Sequence, residues 1–249
     1  MKRIILCGCL GKMGHVIAQL VENRTDCEIV AGVDICSGSM QFPIYAKLDN
    51  VLEPADVIVD FSRPELLTDI LGYIAAHPGV SAVLCTTGYS TEQVTALKTA
   101  AEKYPIFYSR NMSLGINLLV ELSKKAVKVL GSDFDIEIIE KHHNQKVDAP
   151  SGTALMLADA ISDARDMKSE YTFDRHAQRK KRESREIGLH AIRGGTIVGE
   201  HEVIFAGNHE VLTLSHSAQS KELFASGAVN AAVFMCGKPA GLYDMSDLI

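Results

Sequence analysis

Residues 3–14 read RIILCGCLGKMG. The first five form a short apolar run of the kind that makes a parallel strand covered on both faces. A turn with glycine at Gly8, Gly11 and Gly14 follows, and helical spacing continues to Glu22. A second apolar run, residues 28–33, ends in Asp34, 20 residues after Gly14. Strand, glycine turn, helix, strand and acid, in that order, make the βαβ unit that takes a dinucleotide. Glycines let the backbone approach a pyrophosphate, the helix start supplies N–H groups, and the acid accepts from ribose hydroxyls. The spacing is G-x-x-G-x-x-G rather than G-x-G-x-x-G, so the glycines alone would also suit a turn in an unrelated α/β protein. The elements around them carry the reading.

The alternation goes on. Residues 56–60 (DVIVD), 80–85 (VSAVLC) and 106–109 (IFYS) read as strands, and residues 64–76 and 91–103 as helices between them. Strands alternating with helices predict a doubly wound parallel sheet, with ligands beyond the carboxyl ends of its strands. Those ends are the Gly8 turn, Asp34, Phe61-Ser62, Thr86-Thr87-Gly88 and residues 109–113. For Thr86 and Thr87 taken singly, capping the next helix is the plainer role.

From residue 114 the pattern changes. A long amphipathic helix, residues 114–130, precedes an alternating strand, FDIEIIE at 134–140, and a further helix from about Gly152 to Arg165. A hydrophilic connector, residues 166–186, carries the basic run Arg175-His176-Ala177-Gln178-Arg179-Lys180-Lys181-Arg182. It reads as a solvated segment, and at most as a source of positive potential near an anionic ligand. Three strands follow at 187–192, 196–206 and 210–217, with turns at Arg193-Gly194-Gly195 and Gly207-Asn208-His209. An apolar helix rich in small residues, 219–236, and a short tail close the chain. The fold class expected is α/β. A Rossmann-type parallel-sheet domain comprises residues 1–113 and 218–249, and an α+β substrate-binding and oligomerisation domain comprises residues 114–217.

Composition narrows the function. A net charge of −6 argues against a general nucleic-acid partner. No apolar run reaches the roughly 18 residues a membrane span needs. The basic, briefly apolar N-terminus lacks the length and cleavage site of a secretion signal. Six scattered cysteines without a C-x-x-C pair suit reduced thiols in the cytoplasm.

The densest chemistry lies at residues 137–154, EIIEKHHNQKVDAPSGTA. Two imidazoles, His142 and His143, an amine, Lys146, and the helix start Ser151-Gly152-Thr153 fall within a dozen residues. An imidazole can give a proton at neutral pH, a lysine can neutralise a carboxylate, and helix N–H groups can hold another. With a dinucleotide unit beside it, this suits a reductase acting on a small dicarboxylate.

E-x-x-E-x-H-H-N-x-K-x-D-A-P-S-G-T-A resembles the signature of the bacterial dihydrodipicolinate reductases, also called 4-hydroxy-tetrahydrodipicolinate reductases, of lysine and diaminopimelate synthesis. The resemblance extends to G-x-x-G-x-M-G at Gly8 to Gly14, D-V-x-x-D-F-S-x-P at Asp56 to Pro64, and T-T-G at Thr86 to Gly88. It also includes N-M-S-L-G at Asn111 to Gly115 and R-G-G-T-I-V-G-E-H at Arg193 to His201. It implies His142 as the principal acid, Lys146 as a second donor, and His143, Gly152 and Thr153 as substrate ligands, with Ser151 beside them. It implies that NADH, NADPH or both are held by Gly8, Cys9, Leu10, Gly11, Lys12 and Met13, by Asp34, by Cys85, Thr86 and Thr87, and by Ser109, Arg110, Asn111 and Met112. It implies a homotetramer, and the residues themselves lead to the expectation of no metal and no nucleic-acid or membrane partner.

Three residues depart from the family pattern. Cys9 and Cys85 stand where alanine and glycine are usual and are expected to narrow the cleft, and Arg110 replaces a small residue or proline. No arginine follows Asp34, so NADH is expected to serve at least as well as NADPH. The rival readings are a metal site at His142 and His143, a dinucleotide sensor without turnover, and another small-molecule dehydrogenase. Adjacent strand residues point opposite ways, which disfavours the metal. The remaining histidines, including His201 and His216, read as structural or peripheral.

Overall fold

The computed structural model describes residues 1–109, 111–176 and 179–249. The chain divides into two compact units, Met1–Leu114 with Glu222–Ile249, and Gly115–Lys221. The first unit opens with β1 (Lys2–Cys7), α1 (Lys12–Glu22), β2 (Cys27–Val33) and β3 (Ile44–Tyr45). It continues with β4 (Val57–Asp60), α2 (Leu67–Ala76), β5 (Ser81–Leu84), α3 (Thr91–Ala101) and β6 (Pro105–Tyr108). Pro64 and its neighbours form a 3-10 turn leading into α2, where a missing N–H costs nothing.

The chain then passes along α4 (Leu114–Leu130) into the second unit. There it forms β7 (Asp135–His142), α5 (Gly152–Asp163), β8 (Glu170–Thr172), β9 (Glu186–Arg193), β10 (Gly199–Ala206) and β11 (Val211–Ala218). It returns to the first unit with α6 (Glu222–Met235) and β12 (Gly241–Tyr243).

The first unit's sheet runs β12-β6-β5-β4-β1-β2-β3, all parallel. Strand alternation sorts its side chains onto two faces. Ile4, Leu6, Val57, Val59, Val83 and Phe107 share one cluster with α1 and the small residues of α6. Ile5, Cys7, Ile58, Ala82, Leu84 and Ile106 share the other with α2 and α3. The order reverses direction between β1 and β4, the switch point where a ligand crevice opens in such sheets. The expected tail is part of this body: β12 pairs with β6, and Met245 is buried in the α6 side of the core. Segments of two or three residues such as β3, β8 and β12 carry no periodicity to read.

The second unit's sheet runs β11-β10-β7-β9-β8. β7 is central, antiparallel to β10 and parallel to β9. The turn at Arg193-Gly194-Gly195 therefore joins strands that are not neighbours, because β7 lies between them. The inner face of β7, Ile136, Ile138, Glu140 and His142, is buried, and its apolar half joins Ala154, Leu157, Ala158 and Ile161 of α5.

The outer face of β7 changes the reading of the basic connector. Glu137 accepts from Arg175, Arg182 and His190 at 3.2, 3.0 and 2.7 Å. Arg175 also donates to buried Glu186 at 2.6 Å, and Arg182 to Asp135 at 2.7 Å. Gly188 makes room for this, since a Cβ there would collide with the Glu137 carboxylate. Arg175 and Arg182 are thus neutralised where they stand and supply no surplus potential. Ala177 and Gln178 of the same run lie outside the described residues.

Burial pushes the Glu137 and Glu186 carboxyls up, but hydrogen bonds from His190 and Arg182 to the one, and from Arg175 to the other, leave both below the usual 4.5. A carboxyl whose value falls on folding adds stability that is present above its unfolded value and is lost as pH drops through its folded one. The thermal midpoint should accordingly fall below about pH 4.5, and Arg182→Ala should flatten that fall. Melting curves from pH 3 to 7 test this, and identical slopes in both proteins would exclude the cluster as the cause.

Candidate functional site

Two groups of candidate residues stand out, one in each unit. In the first, Gly8 ends β1 with φ +76 and gives its N–H to the Val33 carbonyl at 2.8 Å. A Cβ at this position would lie 2.6 Å from the Phe61 carbonyl oxygen. Only glycine combines that dihedral with that approach. Gly11 caps α1 without a side-chain bond, which leaves the first-turn N–H groups for a ligand. Gly14 lets the helix sit against the turn, for a Cβ there would meet the Gly8 and Cys9 carbonyls. A cleft of about 300 Å³ lies over this turn, lined by Gly8, Leu10, Gly11, Asp34, Phe61 and Arg63 among others.

Asp34 holds the rim of that cleft. One carboxylate oxygen accepts from Leu10 N at 2.9 Å and the other from Cys36 N at 3.0 Å. Both oxygens keep capacity for a further donor such as a ribose hydroxyl. Lys12 is exposed and Met13 half-buried at the start of α1. Cys9 and Cys85 do not narrow the cleft, because both thiols are buried in the core beneath it, 0% and 7% exposed. The Cys9 sulfur packs on Gly32, where a Cβ would lie 2.6 Å from it.

Asp60 organises the neighbouring strand ends. It is fully buried and accepts from the Ser62 N–H and hydroxyl, from Thr86 Oγ1 at 2.7 Å and from Tyr89 OH at 3.2 Å. Burial pushes its carboxyl up, and these donors oppose the shift. The cap of α3 is Ser90, which forms a capping box with Gln93, not Thr86 or Thr87. Thr87 is exposed at the same strand end. Beyond β6, the Ser109 hydroxyl donates to the Asn111 carbonyl at 2.9 Å, and Asn111 Oδ1 accepts from Ser113 N at 2.9 Å. Met112 is buried, and Arg110 lies outside the described residues. Glycine turn, open helix start and acid at one cleft fit the pyrophosphate and ribose of a dinucleotide.

In the second unit the polar end of β7 meets the start of α5. His142 is 9% exposed, while His143 beside it is half-buried. His142 Nδ1 lies 2.6 Å from Glu140 Oε2, and its Nε2 bonds no described residue. Arg193 grips Glu140 with two bonds of 2.7 and 2.8 Å and donates to the Asp148 carbonyl at 2.6 Å. Ser151 N donates to Glu140 Oε1 at 2.9 Å. The Ser151 hydroxyl caps α5 through Ala154 N at 3.2 Å and lies 3.1 Å from His201 Nε2. Ser151 is thus buried and engaged on every polar atom, whereas Gly152 is exposed and Thr153 half-buried. Lys146 pairs with Asp148 at 2.9 Å, a contact that holds the Asp148 carboxyl low.

His201 stacks edge-on to His142 with ring centroids 5.2 Å apart. Burial first, and His142 second, push it down to about 4, so it is neutral near pH 7. The sequence reading missed Glu140, Arg193 and His201 as site residues. Glu140 was accessible to it, because residues two apart on a strand share a face. Among the described residues no cluster of three His, Cys, Asp or Glu side chains could hold a metal ion, and no helix is long and apolar enough to cross a membrane.

Comparison with known proteins places the whole chain in one family. Residues 2–112 match the family model of dihydrodipicolinate reductase, N-terminus, and residues 115–249 that of its C-terminus. A 4-hydroxy-tetrahydrodipicolinate reductase from Caldanaerobacter subterraneus subsp. tengcongensis is 52% identical over 249 residues, covering 100% of this chain and 98% of that one. One from Clostridium tetani is 50% identical, covering 100% and 97%. A dipicolinate-bound dihydrodipicolinate reductase from Paenisporosarcina superposes with a TM-score of 0.83 at 25% identity, covering 100% of both chains.

The glycine turn yields a direct test. Gly8→Ala should weaken dinucleotide binding by at least tenfold, because the new methyl collides with the Phe61 carbonyl. Fluorescence titration with NADH measures this, and binding within twofold of the parent would remove Gly8 from the site.

Proposed function

The chain belongs to the dihydrodipicolinate reductase family, and we propose how its residues divide the work of that reaction. It is an NAD(P)H-dependent oxidoreductase that reduces 4-hydroxy-tetrahydrodipicolinate to tetrahydrodipicolinate in diaminopimelate and lysine synthesis. The observation that carries the assignment of roles is His142: buried at the end of β7, bonded through Nδ1, with Nε2 bonded to no described residue, and anchored to the same carboxylate as the start of α5.

When bound, the dihydronicotinamide supplies the hydride. His142 delivers the proton from Nε2. Lys146, part-neutralised by Asp148, serves as second donor and counter-charge to a substrate carboxylate. His143 and the N–H groups of Gly152 and Thr153 hold the dicarboxylate at the positive end of α5. Ser151, fully engaged, frames that cradle. In the first unit the backbone of Gly8, Cys9, Leu10, Gly11, Lys12 and Met13 holds the pyrophosphate and Asp34 the ribose. The strand ends at Cys85, Thr86 and Thr87 and at Ser109, Asn111 and Met112 hold the rest of the cofactor. Cys9, Cys85 and Met112 contribute through backbone alone, since their side chains are buried. A sensor without turnover would have no use for an imidazole so anchored.

Asp34 favours NADH. Its carboxylate is fixed at the rim by two backbone N–H groups and would face a 2′-phosphate with like charge. The chain assembles as a homotetramer through the second unit's sheet, whose edge strand β11 exposes Val211 and Leu212 by 63% and 39%. Six free cysteines suit a cytoplasmic enzyme.

Turnover with enzymatically generated substrate decides the roles. His142→Ala and Lys146→Ala should each lower kcat by about two to four orders of magnitude, the usual worth of a positioned acid. A loss below threefold in both would exclude them. In the same assay NADH should serve at least as well as NADPH, and Asp34→Ala should move the preference towards NADPH. An NADPH preference that Asp34→Ala leaves unchanged would refute the role given to Asp34.

A further inference from the structure

Glu140 is buried, yet it joins three parts of the site: His142 on β7, Arg193 on β9 and the start of α5 at Ser151. Its side chain is fully buried. Oε2 lies 2.6 Å from His142 Nδ1 and 2.7 Å from Arg193 Nη1. Oε1 lies 2.8 Å from Arg193 Nη2 and 2.9 Å from Ser151 N. A carboxylate buried for stability alone is a poor choice, because apolar replacements of buried ion pairs are often as stable or more so. What this carboxylate does provide is common reference geometry. We infer that Glu140 is a positioning residue for proton transfer, fixing which nitrogen of His142 gives the proton and tying that ring to the turn that holds the substrate's carboxylate. The inference rests on His142 being the acid.

The donor pattern supports this. Four N–H groups converge on the two oxygens, so Glu140 is an acceptor only. A carboxylate that only accepts forces the Nδ1 atom of His142 to carry hydrogen. Nε2 is then the nitrogen that exchanges its proton. During turnover the imidazolium gives the Nε2 proton to the reduced substrate, remains as the Nδ1–H imidazole still bonded to Glu140, and is reprotonated at Nε2 from water. Glu140 remains ionised throughout. Although burial pushes its carboxyl up, the bonds from Arg193, His142 and the Ser151 N–H bring it below the ordinary value.

Arg193 sets the strength of this coupling. Its two bonds share the carboxylate's charge, so Glu140 holds the imidazolium less strongly than a bare carboxylate would. The other titratable group facing His142 is His201 from β10, with ring centroids 5.2 Å apart. His201 does not charge near neutrality, having been pushed down to about 4 chiefly by burial.

Glu140→Gln and Arg193→Met separate positioning from mere support. A glutamine keeps the volume but turns an NH2 group onto one of the four donors, and facing His142 it would favour the wrong tautomer. Glu140→Gln should lower kcat at least tenfold with KM for NADH within twofold. It should also move the alkaline fall of kcat to lower pH, as loss of a charged partner does. Arg193→Met should move that fall to higher pH. Nitrogen-15 spectra of the histidine rings should show Nδ1 losing its proton in Glu140→Gln alone.

Glu140→Gln with parental kcat, or with lower kcat but unmoved pH profile and ring spectra, would overturn the inference. Shifts of the same sign in the two variants would overturn it equally. His142→Ala separates the two levels. If it is inactive while Glu140→Gln is unaltered, only the positioning role fails, and if it retains turnover, the underlying assignment of the acid fails.

Discussion

Alternation along β7 divides the second unit's chemistry into two ledgers. Inward lie Ile136, Ile138, Glu140 and His142, and outward lie Glu137, Ile139 and Lys141. As the strand leaves the apolar layer under α5, its inner face changes from hydrocarbon to carboxylate and imidazole. The site is therefore the continuation of the core. A shift of one residue in register would exchange every member of the two sets, and would place Glu137 and Lys141 against α5. Pairing with both β9 and β10 over most of its length holds β7 against such a slip. The outward glutamate is answered by Arg175, Arg182 and His190, and the inward one by Arg193.

The first unit follows a different rule. Its cleft is shaped by backbone rather than side chain. The turn after β1 is shaped by a glycine that no other residue could replace without collision, while the cysteine inside it faces the core. Asp34 and Asp60 then serve as braces. Asp34 joins the end of β2 to the turn through Leu10, and Asp60 joins the ends of β4 and β5 through Ser62 and Thr86. The Cys9 and Cys85 side chains are buried beneath that frame, so departures from the family pattern there leave the cleft open.

Much of this was legible beforehand because it rests on short-range patterns. The glycine turn and Asp34 are read from spacing, and residues 114–130 from helical period. What sequence concealed was partnership at a distance. Arg193 meets Glu140 from 53 residues away and His201 meets Ser151 from 50, and no local pattern joins them. The connector's basic run read as solvated charge because its partners, Asp135 and Glu137, lie on another strand. The place of β9 was hidden for a similar reason. Two strands joined by a glycine turn suggest neighbours, and only the assembled sheet shows β7 between them. The tail after Tyr243 carried too few residues to declare a period, though Met245 is as buried as any residue in the core.

The chain leaves the first unit at Leu114 and re-enters it at Glu222. During synthesis the sheet face bearing Ile4, Leu6, Val57, Val59, Val83 and Phe107 emerges early, but the α6 residues that cover it are made nearly last. At about 5–20 residues per second, the intervening segment imposes a delay of roughly 5–20 seconds. The inserted unit can meanwhile complete its own core, since its cluster draws only on residues between Ile116 and Leu214. The unit begun second is thus the one whose core residues are complete first, while the first unit still lacks the helix for one apolar face. Truncation between Lys221 and Met235 would leave the first unit's sheet without part of the helix that covers it.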